Sequence, residues 1–384
     1  MLTPPPIGLY VHLPWCVQKC PYCDFNSHGQ PRETPFEGYT DALLRDAETE
    51  AESLDGRTIG SIYIGGGTPS LFPPPTIDRL LTGLSRRLPL GTDCEITMEA
   101  NPGTFELERF RAFRRTGVNR LSIGVQSFHA HHLRALGRIH GGGEAAQAAE
   151  AAREAGFERF NLDLMFALPG QTVTEAEADV ARAIELGARH ISHYQLTLEP
   201  GTAFHAQPPT LPDEDTAAAI QEACSARLAE AGLERYEVSA WSVPGEACRH
   251  NLTYWQFGDY LAIGAGAHGK ISDAATGRIE RYSKWRMPQQ YMARAGGPEA
   301  LAEHYPVVAE ERPLEFAMNA LRLTDGVPAA YLTARTGVTE DAFEPALSDA
   351  EAEGLIERRD GRVRPTERGL TFLNNTLGHF LPAT

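Results

Sequence analysis

Residues 8–28 read GLYVHLPWCVQKCPYCDFNSH and join a predicted strand to a cluster of cysteines. The apolar first part predicts a β-strand. The chain then places Cys16, Cys20 and Cys23 within eight positions, with Pro21 between the second and the third. Proline has no amide hydrogen and disfavours a continuing helix, so we expect a loop whose thiolates turn inward on one centre. The sequence therefore predicts a strand that leads directly into a metal-binding loop.

The spacing of these cysteines, C-x3-C-x2-C, suits a cubane [4Fe-4S] cluster. Three thiolates each hold one iron in such a site, and the fourth iron is free for another ligand. A structural zinc site is the alternative, but it would need a closed set of four ligands. Phe25 stands where a further nearby cysteine could have followed, and Cys94, Cys224 and Cys248 are scattered along the chain. We expect these last three to be small buried hydrophobic residues.

Composition and charge exclude several classes of protein. The chain has 384 residues and is 42% hydrophobic, enough for one large core or a core with a smaller second domain. It contains no run of about 18 apolar residues and no signal peptide at its amino terminus, so we expect a cytoplasmic protein without stable membrane insertion. Thiols stay reduced in the cytoplasm. The net charge of -16 argues against a nucleic-acid partner.

A repeat of helices and strands runs through the first two thirds of the chain. RRTGVNRLSIGVQS, REAGFERFNLDLM, IELGARHISHYQL and AEAGLERYEVSA each show a helical tail, a C′ glycine and a strand. GLYVHLP, GSIYIGGG and CEITMEA supply three earlier strands, and Thr174 with Glu177 has the spacing of a capping box. Six to seven such units predict an α/β fold with a parallel sheet, either a barrel or an incomplete barrel. A doubly wound open sheet is the structural alternative.

The pattern changes twice farther along the chain. Residues 1–245 carry the repeat, and residues 246–312 are an aromatic and glycine-rich extension and linker. Residues 313–384 are predicted to form a mainly α, winged-helix-like domain of three helices and a short hairpin. From Glu311 to the end there are 12 acidic residues, 8 Arg and no Lys, so we expect an accessory or docking domain and no DNA binding.

Polar residues stand at the ends of consecutive predicted strands. They are the GGGTP turn at residues 65–69, Glu99, Gln126, Asp163 and Gln195. In a parallel barrel, the carboxyl ends of the strands meet at one rim, where a ligand can satisfy polar groups that would be costly inside an apolar sheet. GGGTP could be a tight turn alone, and it lacks the dinucleotide-binding fingerprint. Each of the other residues could be a structural polar residue, but their position on consecutive strands favours a ligand site.

Several motifs together carry a resemblance to a known superfamily. YVHLPWC, CPYCDFNSH, IGGGTPS, EANPG, SIGVQSF, LGRIH, NLDLM and HNLTYW resemble the radical S-adenosylmethionine (SAM) superfamily. Within it they are most similar to the oxygen-independent coproporphyrinogen III oxidase-like branch and its HemW-type heme chaperones. The resemblance covers nearly the whole chain. It implies an incomplete (β/α)6-type radical SAM barrel, a [4Fe-4S] cluster, and SAM bound to the open iron.

The resemblance also implies roles for individual residues, none of them catalytic. The cluster ligands would be Cys16, Cys20 and Cys23. The residues around SAM would be Tyr10, Tyr22, Gly66, Gly67, Thr68, Glu99, Gln126, Arg138 and Asp163. Within this set, the resemblance implies that Tyr22 lies near the adenine of SAM and that the Gly66–Thr68 turn lies near its methionyl amine. Glu99 would lie near the ribose.

The HNLTYW motif is associated with heme in the family that the chain resembles. This makes His250 a candidate axial ligand, with Tyr254 and Trp255 as flat apolar faces for the macrocycle. Cys248, two residues earlier, could ligate heme instead. The motif could also be a structural turn with a capped histidine.

Three functions follow as alternatives. The preferred one is a heme chaperone that binds heme and transfers it to respiratory enzymes, by transient docking at the membrane and with a possible homodimer. The second is an oxygen-independent coproporphyrinogen III oxidase, which decarboxylates propionate side chains through a radical. Phe25, where the oxidases carry a further cysteine, and the short segment of 15 residues before Cys16 favour the chaperone. The third is an acidic docking module with a structural metal.

Overall fold

The computed structural model describes residues 1–103 and 106–382, and most of its strands form one twelve-stranded sheet. The strands are β1 (Ile7–Leu13), β2 (Trp15–Cys16), β3 (His28–Gly29), β4 (Ile59–Gly66), β5 (Leu90–Ala100), β6 (Arg120–Gln126), β7 (Phe160–Phe166), β8 (His190–Gln195), β9 (Glu234–Glu237), β10 (Ala240–Ser242), β11 (Asp259–Ile263), β12 (His268–Asp273), β13 (Arg278–Lys284), β14 (Leu301–Pro306), β15 (Val327–Pro328), β16 (Ile356–Arg359) and β17 (Arg362–Pro365).

Helices connect these strands. They are α1 (Phe36–Glu50), α2 (Pro74–Arg87), α3 (Glu106–Arg115), α4 (Ala130–Ala135), α5 (Gly142–Glu154), α6 (Val173–Glu185), α7 (Ala203–Ala206), α8 (Glu214–Glu230), α9 (Arg249–Trp255), α10 (Pro288–Arg294), α11 (Arg312–Ala320), α12 (Ala330–Thr336), α13 (Glu344–Ala352), α14 (Glu367–Thr371) and α15 (Leu373–Gly378). Two of the predicted helix stops have left-handed glycines, Gly156 (φ 87°) and Gly187 (φ 82°), as a C′ position requires.

Six parallel strands stand side by side in the order in which the chain makes them. The order is β1-β4-β5-β6-β7-β8, and each neighbouring pair is parallel. On its other side β1 pairs with β11, and β8 pairs with β10, so within the described residues the six parallel strands do not close into a barrel. A doubly wound sheet would reverse its strand order at a switch point. The consecutive order confirms the predicted incomplete (β/α)6 arrangement.

Two local predictions were wrong. AEAGLERYEVSA was expected to supply a further parallel strand, but β9 and β10 form an antiparallel hairpin. Only Val238 and Ser239 separate the two strands, and a parallel crossover needs a dozen or more residues.

The capping box of α6 is formed by Thr172 and Glu175 instead of Thr174 and Glu177, so this helix begins two residues earlier than predicted. Both pairs have the same spacing, and the sequence alone did not separate them.

The carboxy-terminal region has a core of its own that continues onto the main sheet. Helices α11–α15 surround a small sheet with the order β15-β17-β16, as expected for a winged-helix-like domain. Phe316 and Phe343 pack in one cluster with Phe257 and Ile279 from the region before it. Strands β11–β14 extend the main sheet, so the proposed limits near residues 245 and 312 remain predictions. Within the described residues, no helix has both the length and the apolar character needed to cross a bilayer.

A buried ion cluster fastens the antiparallel extension to the first helix. The ammonium of Lys284, on β13, lies 2.7 Å from Asp46 Oδ1 and 2.6 Å from Glu50 Oε1, both on α1. Tyr291 donates to Asp46 Oδ2 at 2.8 Å, and Tyr282 donates to Glu50 Oε2 at 2.5 Å. Every carboxylate oxygen in this cluster therefore has a partner, which is the condition under which buried charges are tolerated.

We expect Lys284→Met to lower the free energy of unfolding by about 3–5 kcal/mol, because it leaves two buried acids without their cation. Urea denaturation monitored by circular dichroism measures this. The control is Arg182→Met, which breaks an exposed pair with Glu185 and should cost less than about 1 kcal/mol. Equal losses of unfolding free energy in the two variants would contradict the structural role of the buried ion cluster.

Candidate functional site

A cavity of about 340 Å³ opens at the carboxyl ends of the six parallel strands, and we call it the rim cavity. Its volume lies in the range of small-molecule sites, about 300–1,000 Å³. The structure brings most of the predicted site residues together in its wall. Those that line it are Cys16, Cys20, Tyr22, Cys23, Gly66, Gly67, Thr68, Glu99, Gln126, Arg138 and Asp163. Tyr10 and His250 do not line it.

The cysteine loop is closed at its base by a short pair of strands. In this pair β2 and β3 are parallel, with Cys16 opposite Gly29. The Thr68 hydroxyl donates to Cys16 Sγ at 3.6 Å, and Arg138 donates to Cys20 Sγ at 3.7 Å. Burial raises the pKa of the Cys16 and Cys23 thiols, which disfavours free thiolates unless a metal compensates.

The spacing of the three sulfur atoms separates a cluster from a single ion. A tetrahedral metal holds its thiolates at about 2.3 Å, which places the sulfur atoms less than about 4 Å apart. Among residues 1–103 and 106–382, the cysteines do not form a group whose ligand atoms all lie within 4.8 Å of one another. Each thiolate of a [4Fe-4S] cluster binds its own iron, so a cluster does not require the sulfur atoms to lie that close together. The arrangement of the three cysteines therefore favours a cluster over a mononuclear zinc site.

The glycine turn after β4 lies directly against the cysteine segment. Gly66 has a φ of 116°, and a Cβ there would come within 2.5 Å of the His12 ring. A Cβ on Gly67 would lie 2.6 Å from the carbonyl oxygen of Trp15. The amide hydrogens of Gly67 and Thr68 are donated to the carbonyl oxygens of Leu13 and Trp15, both at 2.8 Å. These hydrogen bonds fix the turn to the first strand. Its carbonyl oxygens are suited to accept hydrogen bonds from a ligand.

Two buried acids lie in the wall of the rim cavity. Glu99 accepts from the Tyr63 hydroxyl and from the Gly66 amide, both at 3.0 Å. Burial raises its pKa to about 7, with a smaller contribution from the negative charge of Asp163. Burial also raises the pKa of Asp163, against hydrogen bonds from Asn161 at 2.7 Å and Ser122 at 3.2 Å. Both acids would be stabilised by a ligand that carries positive charge or hydroxyl donors.

Arg138 supplies a buried positive charge at this site. Its guanidinium donates to Asn101 Oδ1 at 2.7 Å and to the Gly124 carbonyl at 2.8 Å, while its buried Nε finds no hydrogen-bond partner in the part of the chain that the structure describes. Asn101 in turn donates to Thr68 Oγ1 at 2.9 Å. One amide therefore connects the two side chains that donate to the cysteine sulfurs.

Aromatic and amide side chains also line the rim cavity. Tyr22 is partly buried against Phe204, with ring centroids 6.3 Å apart, and burial raises the pKa of its hydroxyl. Gln126 has a φ of 67° and accepts from the Tyr194 hydroxyl at 2.8 Å. The rim cavity thus combines a flat aromatic side chain, two acids, one Arg and a turn of carbonyl groups. These groups fit a zwitterionic ligand with a sulfonium, a ribose and an aromatic base.

Comparison with known proteins places this arrangement in a family. The radical SAM superfamily matches residues 10–183, and the HemN C-terminal domain matches residues 307–372. The heme chaperone HemW of Escherichia coli is 48% identical to this chain, over 99% of the chain and 100% of the relative. The chain belongs to the HemW heme chaperone family. HemW proteins of Haemophilus influenzae and Bacillus subtilis are 45% and 33% identical, over 98% and 97% of this chain and 98% of each relative.

The fold of this HemW family member is also found in a solved structure. Coproporphyrinogen III oxidase (HemN) from Escherichia coli superimposes with a TM-score of 0.82, at 23% identity, over 98% of this chain and 90% of that one. At this identity the likeness concerns the fold alone. It shows that the open sheet and the helical carboxy-terminal region occur together in another radical SAM protein.

Radical SAM membership implies a [4Fe-4S] cluster and SAM as cofactors. When bound, the cluster supplies one-electron chemistry and an iron with an open coordination position. The chain's own residues prepare the site for this. Thr68 and Arg138 donate to cysteine sulfur, and hydrogen bonds to sulfur are among the factors that set the reduction potential of a cluster.

The two predicted residues outside the rim cavity lie on β1 and on α9. Tyr10 is bonded to His12, with its hydroxyl 3.0 Å from Nδ1, and stacks on Tyr63, whose hydroxyl reaches Glu99. His250 is only 2% exposed. Its Nδ1 lies 3.1 Å from Ser61 Oγ and its Nε2 lies 3.2 Å from the Tyr254 hydroxyl.

Both ring nitrogens of His250 are therefore engaged, and burial lowers its pKa to about 3. In this conformation His250 does not offer a nitrogen to a heme iron. Cys248 is also buried, with its Sγ 3.5 Å from Glu95 Oε1.

Asn101 and Tyr194 are two polar residues of the rim cavity that sequence reasoning missed. Asn101 stands in the quoted EANPG motif, two positions after Glu99, and Tyr194 stands one position before Gln195. Both are polar residues at strand ends, so the rule that selected Glu99 would have found them if it had been applied to every residue there.

We expect Cys20→Ala to abolish the [4Fe-4S] cluster, because two thiolates leave two irons without a protein ligand. Iron and sulfide analysis after anaerobic reconstitution measures this. Cys224→Ala is the control, since Cys224 is buried in the core away from the rim cavity. Full iron content in the Cys20 variant would contradict the proposed ligand set.

We expect Glu99→Gln to change how stability depends on pH in the absence of SAM. The folded-state pKa of Glu99, about 7, lies above its ordinary value of 4.5. The contribution of this neutral side chain to the free energy of unfolding is therefore fully present below pH 4.5. This contribution is lost as the pH rises through about 7. The wild type should lose about 3 kcal/mol relative to the variant between these pH values, measured by urea denaturation. If the free energy of unfolding depends on pH in the same way in the wild type and the variant, the pKa of Glu99 is not raised.

Proposed function

We propose that this chain binds heme and transfers it to respiratory enzymes, with a [4Fe-4S] cluster on Cys16, Cys20 and Cys23 and SAM in the rim cavity. The observation that carries the proposal is the similarity to the HemW heme chaperone of Escherichia coli, 48% identical over the full length of both chains. Phe25, which is 58% exposed beside the cysteines, supports it, because the oxidases have a further cysteine at that position.

We propose that SAM lies across the rim cavity from the glycine turn to Tyr22. The carbonyl oxygens of the Gly66–Thr68 turn would accept from its ammonium group, because the amide hydrogens there are already donated within the protein. Glu99 would accept from the ribose hydroxyls and Tyr22 would stack on the adenine. The remaining wall around SAM would be formed by Gln126, Arg138 and Asp163. The raised pKa values of the two acids support a ligand with positive charge and donors at this point.

We propose His250 as the axial heme ligand, in a conformation other than the one in which both of its ring nitrogens are engaged. Its bonds to Ser61 and Tyr254 would have to open first, since an imidazole coordinates iron through a nitrogen lone pair. Tyr254 lies on the same short helix, α9, so a movement of this helix would expose both residues. Tyr10 and Tyr63 stack beside them and would form the floor of the opened site.

We expect His250→Ala to remove the histidine-ligated heme spectrum when heme is titrated into cluster-loaded protein under anaerobic conditions. The matched control is His190→Ala. His190 is equally enclosed, with Nδ1 2.7 Å from Asn161 Oδ1 and Nε2 2.9 Å from the Tyr236 hydroxyl. The control therefore loses a buried histidine–tyrosine bond without losing the proposed ligand. Identical heme spectra and affinities in the wild type and the His250 variant would exclude His250.

The chaperone proposal itself is tested by heme binding and heme delivery. Cluster-loaded protein should bind heme and load the heme-free form of a respiratory enzyme faster than it loads apomyoglobin, a general heme acceptor. Absence of heme binding by protein with full iron content would overturn the proposal. Size-exclusion chromatography of the same samples tests the proposed homodimer.

The oxidase alternative is separated in the same samples. Anaerobic incubation with coproporphyrinogen III, reductant and SAM should give no protoporphyrinogen if the chaperone proposal is right. Formation of that product would favour the oxidase, whose fold this chain shares.

A further inference from the structure

A second group of ligand-type side chains lies apart from the rim cavity. His129 directly precedes α4, His131 lies within α4, and Glu175 lies in the first turn of α6. One donor atom from each of the three lies within 4.8 Å of the others. None of the three lines the rim cavity, so the group is separate from the cofactor site.

The spacing between two of these side chains fits a shared metal ion. His131 Nε2 lies 3.1 Å from Glu175 Oε1. Two ligand atoms that are each about 2.0–2.2 Å from a zinc ion, at angles between octahedral and tetrahedral, are about 3.0–3.5 Å apart. An ion could therefore enter between these two atoms in place of a shared proton, with little movement of either side chain.

The carboxylate is held in the orientation that such an ion needs. Glu175 Oε2 accepts from the amide of Thr172 at 2.9 Å and from its hydroxyl at 2.8 Å, which leaves Oε1 directed to His131. These hydrogen bonds lower the pKa of Glu175 to about 2, so the group is charged at neutral pH.

The second histidine is oriented by a backbone group. His129 Nε2 lies 3.2 Å from the carbonyl oxygen of Glu175. The tautomer that donates to this carbonyl keeps its lone pair on Nδ1. A metal-binding histidine commonly donates its other N–H to a backbone carbonyl in this way.

A neighbouring histidine is buried without a partner. His132 is 0% exposed, and among the described residues neither of its ring nitrogens finds a hydrogen-bond partner. Its Nε2 lies 3.6 Å from Glu175 Oε2. A buried imidazole without a partner is costly, and an ion or its bound water at this group would supply one.

We propose that His129, His131 and Glu175 bind a divalent first-row transition metal ion such as Zn²⁺, with water or His132 at the remaining positions. Two imidazoles and one carboxylate are a ligand set that proteins use for Zn²⁺ and for Fe²⁺. The ion would join α4 to α6. The turn after α4 contacts the cysteine loop, since a Cβ on Gly137 would lie 2.7 Å from Pro21 Cδ. Occupancy of the metal site would therefore stiffen the support of that loop.

The test is a calorimetric titration of cluster-loaded, SAM-bound protein with Zn²⁺, at concentrations that leave the iron content unchanged. We expect one equivalent of Zn²⁺ to bind to the wild type. His131→Gln and Glu175→Gln should each weaken it by at least about tenfold, because loss of an outer-shell partner alone typically costs that much. Glutamine at position 175 keeps the capping box, so helix α6 should remain intact.

His304→Gln is the matched control. His304 and Glu280 form a half-exposed pair with Nε2 and Oε2 3.0 Å apart, but they lack a second histidine. Its zinc affinity should equal that of the wild type. The proposal is overturned if no Zn²⁺ binds to the wild type, or if its affinity is the same in the His131 and Glu175 variants. A Zn²⁺-dependent rise in melting temperature should follow the same pattern across the four proteins.

Discussion

The burial of the Glu99 carboxylate is the constraint on which the site depends. This one side chain on β5 accepts from the Gly66 amide in the turn after β4 and from Tyr63 on β4 itself. It therefore sets the distance between two strand ends and the shape of the glycine turn that supports the cysteine segment. The protein holds this carboxylate in a place where its charged form is disfavoured. A ligand with positive charge would offset that cost, so the shape of the site and its preference for a cation have a common origin.

The molecule treats its buried acids in two different ways. Asp46 and Glu50 surround Lys284, and Asp259 is paired with Lys270 at 2.8 Å, so these acids are neutralised within the protein. Asp46 and Glu50 hold α1 to β13, and Asp259 holds β11 to β12. Among the described residues, Glu99 and Asp163 have no such ion pair. Glu99 and Asp163, which lack an internal cation, both face the rim cavity, where a ligand can supply positive charge.

Much of this architecture could be predicted from the sequence, because the relevant signals are local. The glycines that end helices, the period of the strands and the cysteine spacing each act over a few residues, and they led to the incomplete α/β barrel and to the three thiols at its rim. The rim position of Glu99 followed from a strand end, and Asp163 was chosen by the same rule although it lies in the middle of β7. The hairpin of β9 and β10 was missed because a strand segment looks the same in sequence whether its neighbour is parallel or antiparallel. The enclosure of His250 could not be foreseen either, since its partner Ser61 is far away in the chain.

The order in which the chain supplies the rim cavity has a consequence for its assembly. The thiols belong to the first loop after the first strand, but Thr68, Arg138 and the tyrosine at position 194 come from later parts of the chain. During synthesis, which proceeds at about 5–20 residues per second, the cysteines leave the ribosome well before the groups that cover them. They are thus open to oxidation and to stray metals for many seconds. The complete surround of the cluster therefore exists only after the last of these groups has been synthesised.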